Sequence, residues 1–194
     1  MFTLTALTRA AFIGFVPACW AGACLAQSGC SALEIEILRV EAPPSQYASF
    51  CELHPGDCVL RGDAVLPSSP GLRALLNEVN SAVNSEIELV SDPDRLGVEE
   101  DWDFPQDCRG DCEDFALEKR HRLVANGVPS AAMTMAIVHH ERLLFPHAVL
   151  LVETDTGTWV LDNLRDDILC WDAVPYRYER REQPSGQWVR FDPF

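Results

Sequence analysis

The sequence predicts an α+β fold, with helices first and an antiparallel sheet after them. Three observations lead there. Between residues 72 and 87, apolar side chains fall at Leu72, Leu75, Leu76, Val79, Val83 and Ile87, the i, i+3, i+4, i+7 spacing of an amphipathic helix. A second helical stretch opens at Cys112 and is stopped by Asn126-Gly127, with Pro129 just beyond. Three strand-like runs follow at 133–138, 147–153 and 158–164, the last two joined by a turn containing Asp155 and Gly157. Helices and strands segregated along the chain are the α+β pattern.

The N-terminus has its own composition. Residues 1–33 carry a single charge, Arg9, and residues 10–26 read AAFIGFVPACWAGACLA. An apolar run of this length ending in small residues is expected to be a secretory signal peptide cut after Ala26, at the small-x-small site Cys24-Leu25-Ala26. A retained anchor is the alternative, although Gly14, Pro17 and Gly22 make a weak spanning helix. Residues 27–194 are then expected to form one domain, a length that suffices for a real core. The net charge of −15 argues against nucleic acid as a partner, because phosphate contacts need a basic surface. Such acidity serves solubility, or some of the acids hold a cation.

Removal of residues 1–26 leaves six of the eight cysteines. In an exported chain these imply an oxidising compartment and disulfides. Cys51 and Cys58, in CELHPGDC, flank a Pro/Gly loop and are expected to pair. No CxxC occurs and no histidine stands at ligand spacing from a cysteine pair, so zinc is a poor reading. Residues 51–70 read as a Cys/Pro/Gly-rich loop, with SSPG starting the first helix. Residues 91–109, punctuated by Pro93, Gly97 and Pro105, read as a long ordered loop, a class that is usually functional. On the second helix Phe115, Ala116, Leu123 and Val124 are expected to face inward, and Glu118, Lys119, Arg120 and Arg122 to face water. The tail, with YRYER and QWVRF, suggests one or two further strands. His54, His121 and the His139-His140-Glu141 turn read as solvated surface.

Three residues form a chemical constellation. Cys112 opens a helix, His147 begins a strand, and Asp162 lies in the next strand of the same hairpin. A two- or four-residue turn places Val149 opposite Asp162, which makes His147 and Asp162 diagonal neighbours on one face; a three-residue turn separates them. A helix N-terminus above that face would present the cysteine. This is the logic of a Cys-His-Asp site: an imidazolium stabilises the thiolate, the helix N-terminus favours it, and the aspartate orients the ring. Taken singly, each of these residue types is more often structural. Asp111 suits a helix N-cap, and Glu113 and Asp114 suit the positive end of the helix dipole.

The runs GDCEDFALEKR, PHAVLLV and WVLDNL, with intervals of 35 and 15 residues between Cys112, His147 and Asp162, resemble the bacterial transglutaminase-like cysteine proteinases, the family of the LapG-type periplasmic proteases. The resemblance extends to Phe50-Cys51 with Cys58, to the VNSAVN helix and to the Asp101–Pro105 stretch, roughly residues 45–190 in all. It implies a papain/transglutaminase-like fold, with the nucleophile helix packed on an antiparallel sheet, and Cys112, His147 and Asp162 as the triad. It further implies calcium dependence, with Asp111 and Glu113 at the metal site. Asp92, Asp94, Asp101 and Asp103 stand near enough in sequence to add ligands. Gln106, six residues before Cys112, reads either as an oxyanion-hole donor, as in papain-like enzymes, or as a surface-loop residue, and Trp102 as a cleft wall or core residue. By the same analogy the substrate is a surface, adhesin-like or exported protein cut near small residues, and an inner-membrane receptor regulates a periplasmic or secreted enzyme.

Two other readings use the same residues. Acyl transfer to an amine, or amidase chemistry, would proceed through the same thioester. A disulfide-stapled binding module would have Cys112 oxidised. Cys108, four residues before the nucleophile, could trap it as a disulfide, whereas pairing of Cys108 with Cys170 would prevent that.

Overall fold

The structure, a computed structural model, describes residues 29–191. The expected signal peptide and its cleavage point lie outside the described residues. The chain enters along a short strand, β1 (Arg39–Glu41), and continues into a helix that no apolar period announces, α1 (Ser45–Leu53). Its buried face is only Tyr47 and Phe50, too few positions to stand out as a 3.6-residue repeat. The Cys51–Cys58 disulfide ties the end of α1 to the loop that follows.

The first expected helix is α2 (Pro70–Glu86). The Ser69 side chain accepts a hydrogen bond from Leu72 N, and Pro70 fills the first turn, where a missing N–H costs nothing. Residues 91–109 are more ordered than a loop. They contain a one-turn helix, α3 (Asp92–Arg95), and are gripped at both ends by a parallel pair, β2 (Glu88–Leu89) and β3 (Arg109–Gly110).

Next comes α4 (Cys112–Ala125), followed by a single 3-10 turn and six strands: β4 (Met133–His140), β5 (Pro146–Thr154), β6 (Gly157–Asp162), β7 (Arg165–Cys170), β8 (Tyr176–Glu182) and β9 (Trp188–Arg190). Together with β1 they form a seven-stranded antiparallel sheet in the order β1-β9-β8-β4-β5-β6-β7. The tail therefore supplies three strands rather than one or two.

Alternation along the strands splits the core in two. Met133, Met135, Leu150, Val152 and Leu161 pack against α2 and α4 with Leu76, Val83, Leu117 and Leu123. Ala136, Val138, Val149, Leu151, Val160, Tyr176 and Tyr178 form the second cluster, covered partly by Leu33, Ile35 and Trp171. The segment bearing Leu33 is strapped down by the Cys30–Cys170 disulfide and by the Thr158 N–H donating to Ser31 O at 2.9 Å. Cys170 is thereby unavailable to Cys108, which is a free, exposed thiol.

The outer face expected for α4 needs correcting. Lys119 and Arg120 are buried, and Glu118 is half-buried; only Arg122 of the four keeps substantial exposure. The Arg120 guanidinium donates to Glu182 Oε2 at 2.6 Å and to the Tyr47 hydroxyl at 3.0 Å, while Tyr47 donates to Glu182 Oε1 at 2.6 Å. A charged side chain turned inward violates the apolar period, and only a partner from a distant strand permits it. His54 is also less solvated than expected: its ring packs on Phe50 and Phe104, and its Nε2 meets Asp103 Oδ1 at 2.9 Å.

Candidate active site

The hairpin between β5 and β6 has a two-residue turn. Thr154 pairs with Gly157 and Leu150 with Leu161, a register that sets Val149 opposite Asp162. The diagonal neighbours His147 and Asp162 meet, with His147 Nε2 at 2.9 Å from Asp162 Oδ1. The carboxylate can only accept, so Nε2 carries the proton and Nδ1 is the nitrogen that the aspartate leaves unengaged. Both residues are almost fully buried.

Cys112 stands at the first turn of α4, half-buried, with a free thiol. Ala148 N donates to its Sγ at 3.3 Å, and the thiol itself donates to Glu113 Oε2 at 3.1 Å. The helix does not lie over the face of the His-Asp pair, as expected. His147 shares the parity of Val149 and Leu151, and Asp162 that of Val160, all members of the cluster on the side away from α4. The helix N-terminus instead reaches the end of β5, and the site is assembled across that end of the sheet. A cleft of about 90 Å³ opens there, walled by Trp102, Ile137, Pro146 and His147 with Glu100 and Glu113. Trp102 is thus both core and cleft wall. Gln106 is exposed on the loop and is not among the residues lining the cleft.

Asp162 is held from several sides. Leu164 N donates to Oδ1 at 3.0 Å and Tyr176 Oη donates to Oδ2. Burial pushes its pKa up, but the His147 pair and these donors outweigh burial and leave it below the ordinary carboxylate range. Two asparagines on one face of α2 fix the backbone around it. Asn80 Oδ1 accepts from Asp162 N at 3.0 Å, and Asn84 Nδ2 donates to Asp162 O at 3.0 Å. Their i, i+4 spacing inside an otherwise apolar stripe was the available signal for this role, since a polar group on a buried face needs a partner.

The acids of GDCED divide by role. Asp114 clamps the preceding loop, accepting from Asp103 N at 3.1 Å and from Arg95 at 3.1 Å. A Cβ on Gly110 would sit 2.5 Å from Asp114 Oδ2, so only glycine fits before Asp111. Asp111 occupies the N-cap position without making a cap hydrogen bond; its Oδ2 accepts from Asp92 N at 3.3 Å. Carboxylate oxygens of Asp92, Asp111 and Glu113 lie within 4.8 Å of one another. One oxygen of each (Asp92 Oδ1, Asp111 Oδ1, Glu113 Oε1) is buried without a hydrogen-bond partner. Burial, reinforced by Asp111, pushes the Glu113 carboxyl up to about 10. Burial, followed by Glu113, likewise pushes the Cys112 thiol well above its ordinary value, against the pull of the Ala148 N–H.

Three converging carboxylates with orphaned oxygens and no cationic side chain among them form an all-oxygen donor set of the kind a hard divalent cation takes. The residues present therefore fit calcium. Asp94 bonds Ser91 instead, Asp103 is engaged by His54, and Asp101 contributes its backbone N–H to Asp92.

The model of the bacterial transglutaminase-like cysteine proteinases matches residues 37–193. The structure of calcium-bound LapG from Legionella pneumophila is similar at 26% sequence identity and a TM-score of 0.54, over 75% of this chain and 78% of that one. LapG of the same organism, and its EGTA-treated form, are each similar at 27% identity and a TM-score of 0.53, over 75% of this chain and 76% of theirs. None of the curated proteins matches the chain.

Proposed function

This chain belongs to the bacterial transglutaminase-like cysteine proteinase family, and we propose that it is an exported, calcium-dependent endopeptidase with Cys112, His147 and Asp162 as its catalytic triad. The observation that carries the reading is the buried His147–Asp162 pair at 2.9 Å beside a thiol held by Ala148 N.

In the reaction, the Cys112 thiol gives its proton to His147 Nδ1, and the thiolate attacks the carbonyl carbon of the scissile peptide. Asp162 keeps the proton on Nε2 and stabilises the imidazolium. The developing oxyanion takes the backbone N–H of Cys112, which the first turn of α4 leaves without an intrahelical acceptor. His147 then protonates the leaving amine, which gives a thioester that water, deprotonated by His147, hydrolyses.

Asp92, Asp111 and Glu113 would hold the calcium ion, which when bound supplies positive charge against the carboxylates beside the thiol. An ion held there would keep Glu113 ionised and offset its charge beside the Cys112 thiol. The similarity to LapG, known in calcium-bound and EGTA-treated forms, supports this part of the reading.

The family acts on protein; the substrate we propose is a surface or exported adhesin-like protein, and the regulator an inner-membrane receptor. The Cys30–Cys170 and Cys51–Cys58 disulfides support folding in an oxidising compartment such as the periplasm. Among the described residues no helix is long and apolar enough to cross a membrane. Cys112 carries a free thiol, which disfavours a module with that cysteine oxidised.

The test is mass spectrometry of the surface proteome from cells with the native protein and with Cys112→Ala. A surface protein released by proteolysis only in the native strain is expected. Identical proteomes, together with a Cys112 that iodoacetamide labels no faster than Cys108, would end the peptidase assignment of these residues.

A further inference from the structure

Asp162 can serve His147 only while its carboxylate plane is fixed. Oδ1 carries both the His147 and the Leu164 hydrogen bonds. Oδ2 has the Tyr176 hydroxyl, while the nearest guanidinium nitrogen, Arg165 Nε, is 3.8 Å away. Without the hydroxyl, the carboxylate is free to turn toward Arg165 and leave Nε2 poorly aligned. The same tyrosine also touches the histidine: their ring centroids are 5.6 Å apart. Tyr176 is itself closely packed. It is buried at the start of β8, pairs with His140 across the sheet, and its ring lies 5.5 Å from the ring of His140. His140 in turn meets Phe145 at 5.4 Å, and Phe145 meets His147 at 5.9 Å. Four rings, the His147 imidazole among them, thus close a circuit, and Tyr176 as well as His147 reaches the aspartate.

We propose that Tyr176 is a positioning residue of the triad, its hydroxyl locking the Asp162 carboxylate and its ring bracing His147. The inference rests on the triad reading above. The other charged groups facing Asp162 are Arg165 on β7 and Lys119 on α4. Neither is within hydrogen-bond distance of the carboxylate, so neither substitutes for the hydroxyl.

The test needs no substrate. Iodoacetamide alkylation of Cys112 is followed by peptide mass mapping at neutral pH in calcium-containing buffer, with Cys108 as the internal reference. Tyr176→Phe, which keeps the ring, is expected to slow Cys112 alkylation about tenfold, the scale of a hydrogen bond to a charged group, and to leave Cys108 and the melting temperature nearly unchanged. Because the hydroxyl acts through Asp162, Tyr176→Phe added to Asp162→Asn is expected to be no more than about twofold slower than Asp162→Asn alone. As a second measurement, the downfield proton resonance of His147 Nε2–H is expected to shift or broaden in Tyr176→Phe. An unchanged alkylation rate and resonance, or losses that multiply in the double variant, would overturn the proposal. If His147→Ala also leaves Cys112 as reactive as before, the triad reading fails with it. If His147→Ala slows the reaction and Tyr176→Phe does not, only the role of Tyr176 is lost.

Discussion

Helix α4 carries two buried electrostatic clusters, and they are built oppositely. Around Arg120, the guanidinium, Glu182 and the Tyr47 hydroxyl satisfy one another, and Met135 N adds a donor to Glu182 at 3.3 Å. Around Glu113, two turns earlier, Asp92 and Asp111 add only negative charge, and three oxygens stay without a partner. The first cluster contains its own counter-charge and needs nothing further. The second is incomplete as a structural device, because buried like charges repel and are costly unless a cation joins them. The difference separates an ion pair that holds α1, α4 and the sheet together from a cluster of acids that has no counter-charge among the described residues.

The comparison breaks most visibly at Arg120. Arg120→Met leaves Glu182 buried without its cation and is expected to cost about 3–5 kcal/mol of unfolding free energy. Urea melting checks it, and the loss should be the same with and without calcium. Adding Glu182→Leu should recover much of the loss, because a buried pair replaced by apolar groups is often neutral.

The second cluster should respond to calcium instead. At a free concentration about a hundredfold above Kd, the ion is expected to add about 2.7 kcal/mol. EGTA should remove that gain and the activity together, and magnesium should replace calcium poorly because it holds its waters. Thermal melts and Cys112 alkylation rates in the two buffers provide the measurement. Indifference of both to EGTA would mean that the three acids are not a metal site.

A third buried charge sharpens the contrast. Lys119 Nζ has no hydrogen-bond partner among the described residues, and burial lowers its pKa to about 7, against the opposing pull of Asp162 and Asp166. The unfolded chain keeps this proton up to about 10.5 while the native state releases it above about 7, so stability should rise as pH climbs through that window. At pH 6 the penalty is fully present, and Lys119→Met is expected to stabilise the protein by on the order of 2 kcal/mol. Above pH 10 the two proteins should converge. Urea melts across pH 6 to 10.5 read the difference.

The smallest effect has the most telling sign. In EGTA, where Glu113, pushed up to about 10, stays protonated, Asp92→Asn relieves the repulsion between Asp92 and Asp111 and should raise stability by about 1 kcal/mol. In calcium the same variant should be less stable than the native protein, because it has lost a ligand. Destabilisation in both buffers would make Asp92 a structural residue like Glu182.

Much of the site was legible because its residues obey local rules. The helix that carries the VNSAVN stretch follows from its apolar period, and the His147–Asp162 pairing follows from a two-residue turn. The family resemblance, not residue spacing, pointed to Asp111 and Glu113. Asp92 was only one of four acids in the loop; its selection came from the β2–β3 pair, which folds the segment back so that α3 meets the start of α4. Tyr176 gave no signal, since a tyrosine in a strand is ordinary and its hydroxyl partner lies 14 residues away on another strand. Lys119 and Arg120 were misread for a related reason. Polarity predicts exposure on average, but the cost of burying a charge depends on partners that periodicity cannot show.

By itself, then, the sequence determined the quantities set by near neighbours: the main helices and strands, the turn lengths that would bring His147 beside Asp162, and the three residues proposed as nucleophile, base and orienting acid. Only the tertiary structure decided which buried charges are paired, which are left without a partner, and which face of the sheet His147 and Asp162 occupy. Local geometry fixes the first set within a few residues. The second depends on the low-dielectric surroundings that distant elements create when they pack, where a partner a few ångströms away decides whether a charge stabilises the fold or waits for a ligand.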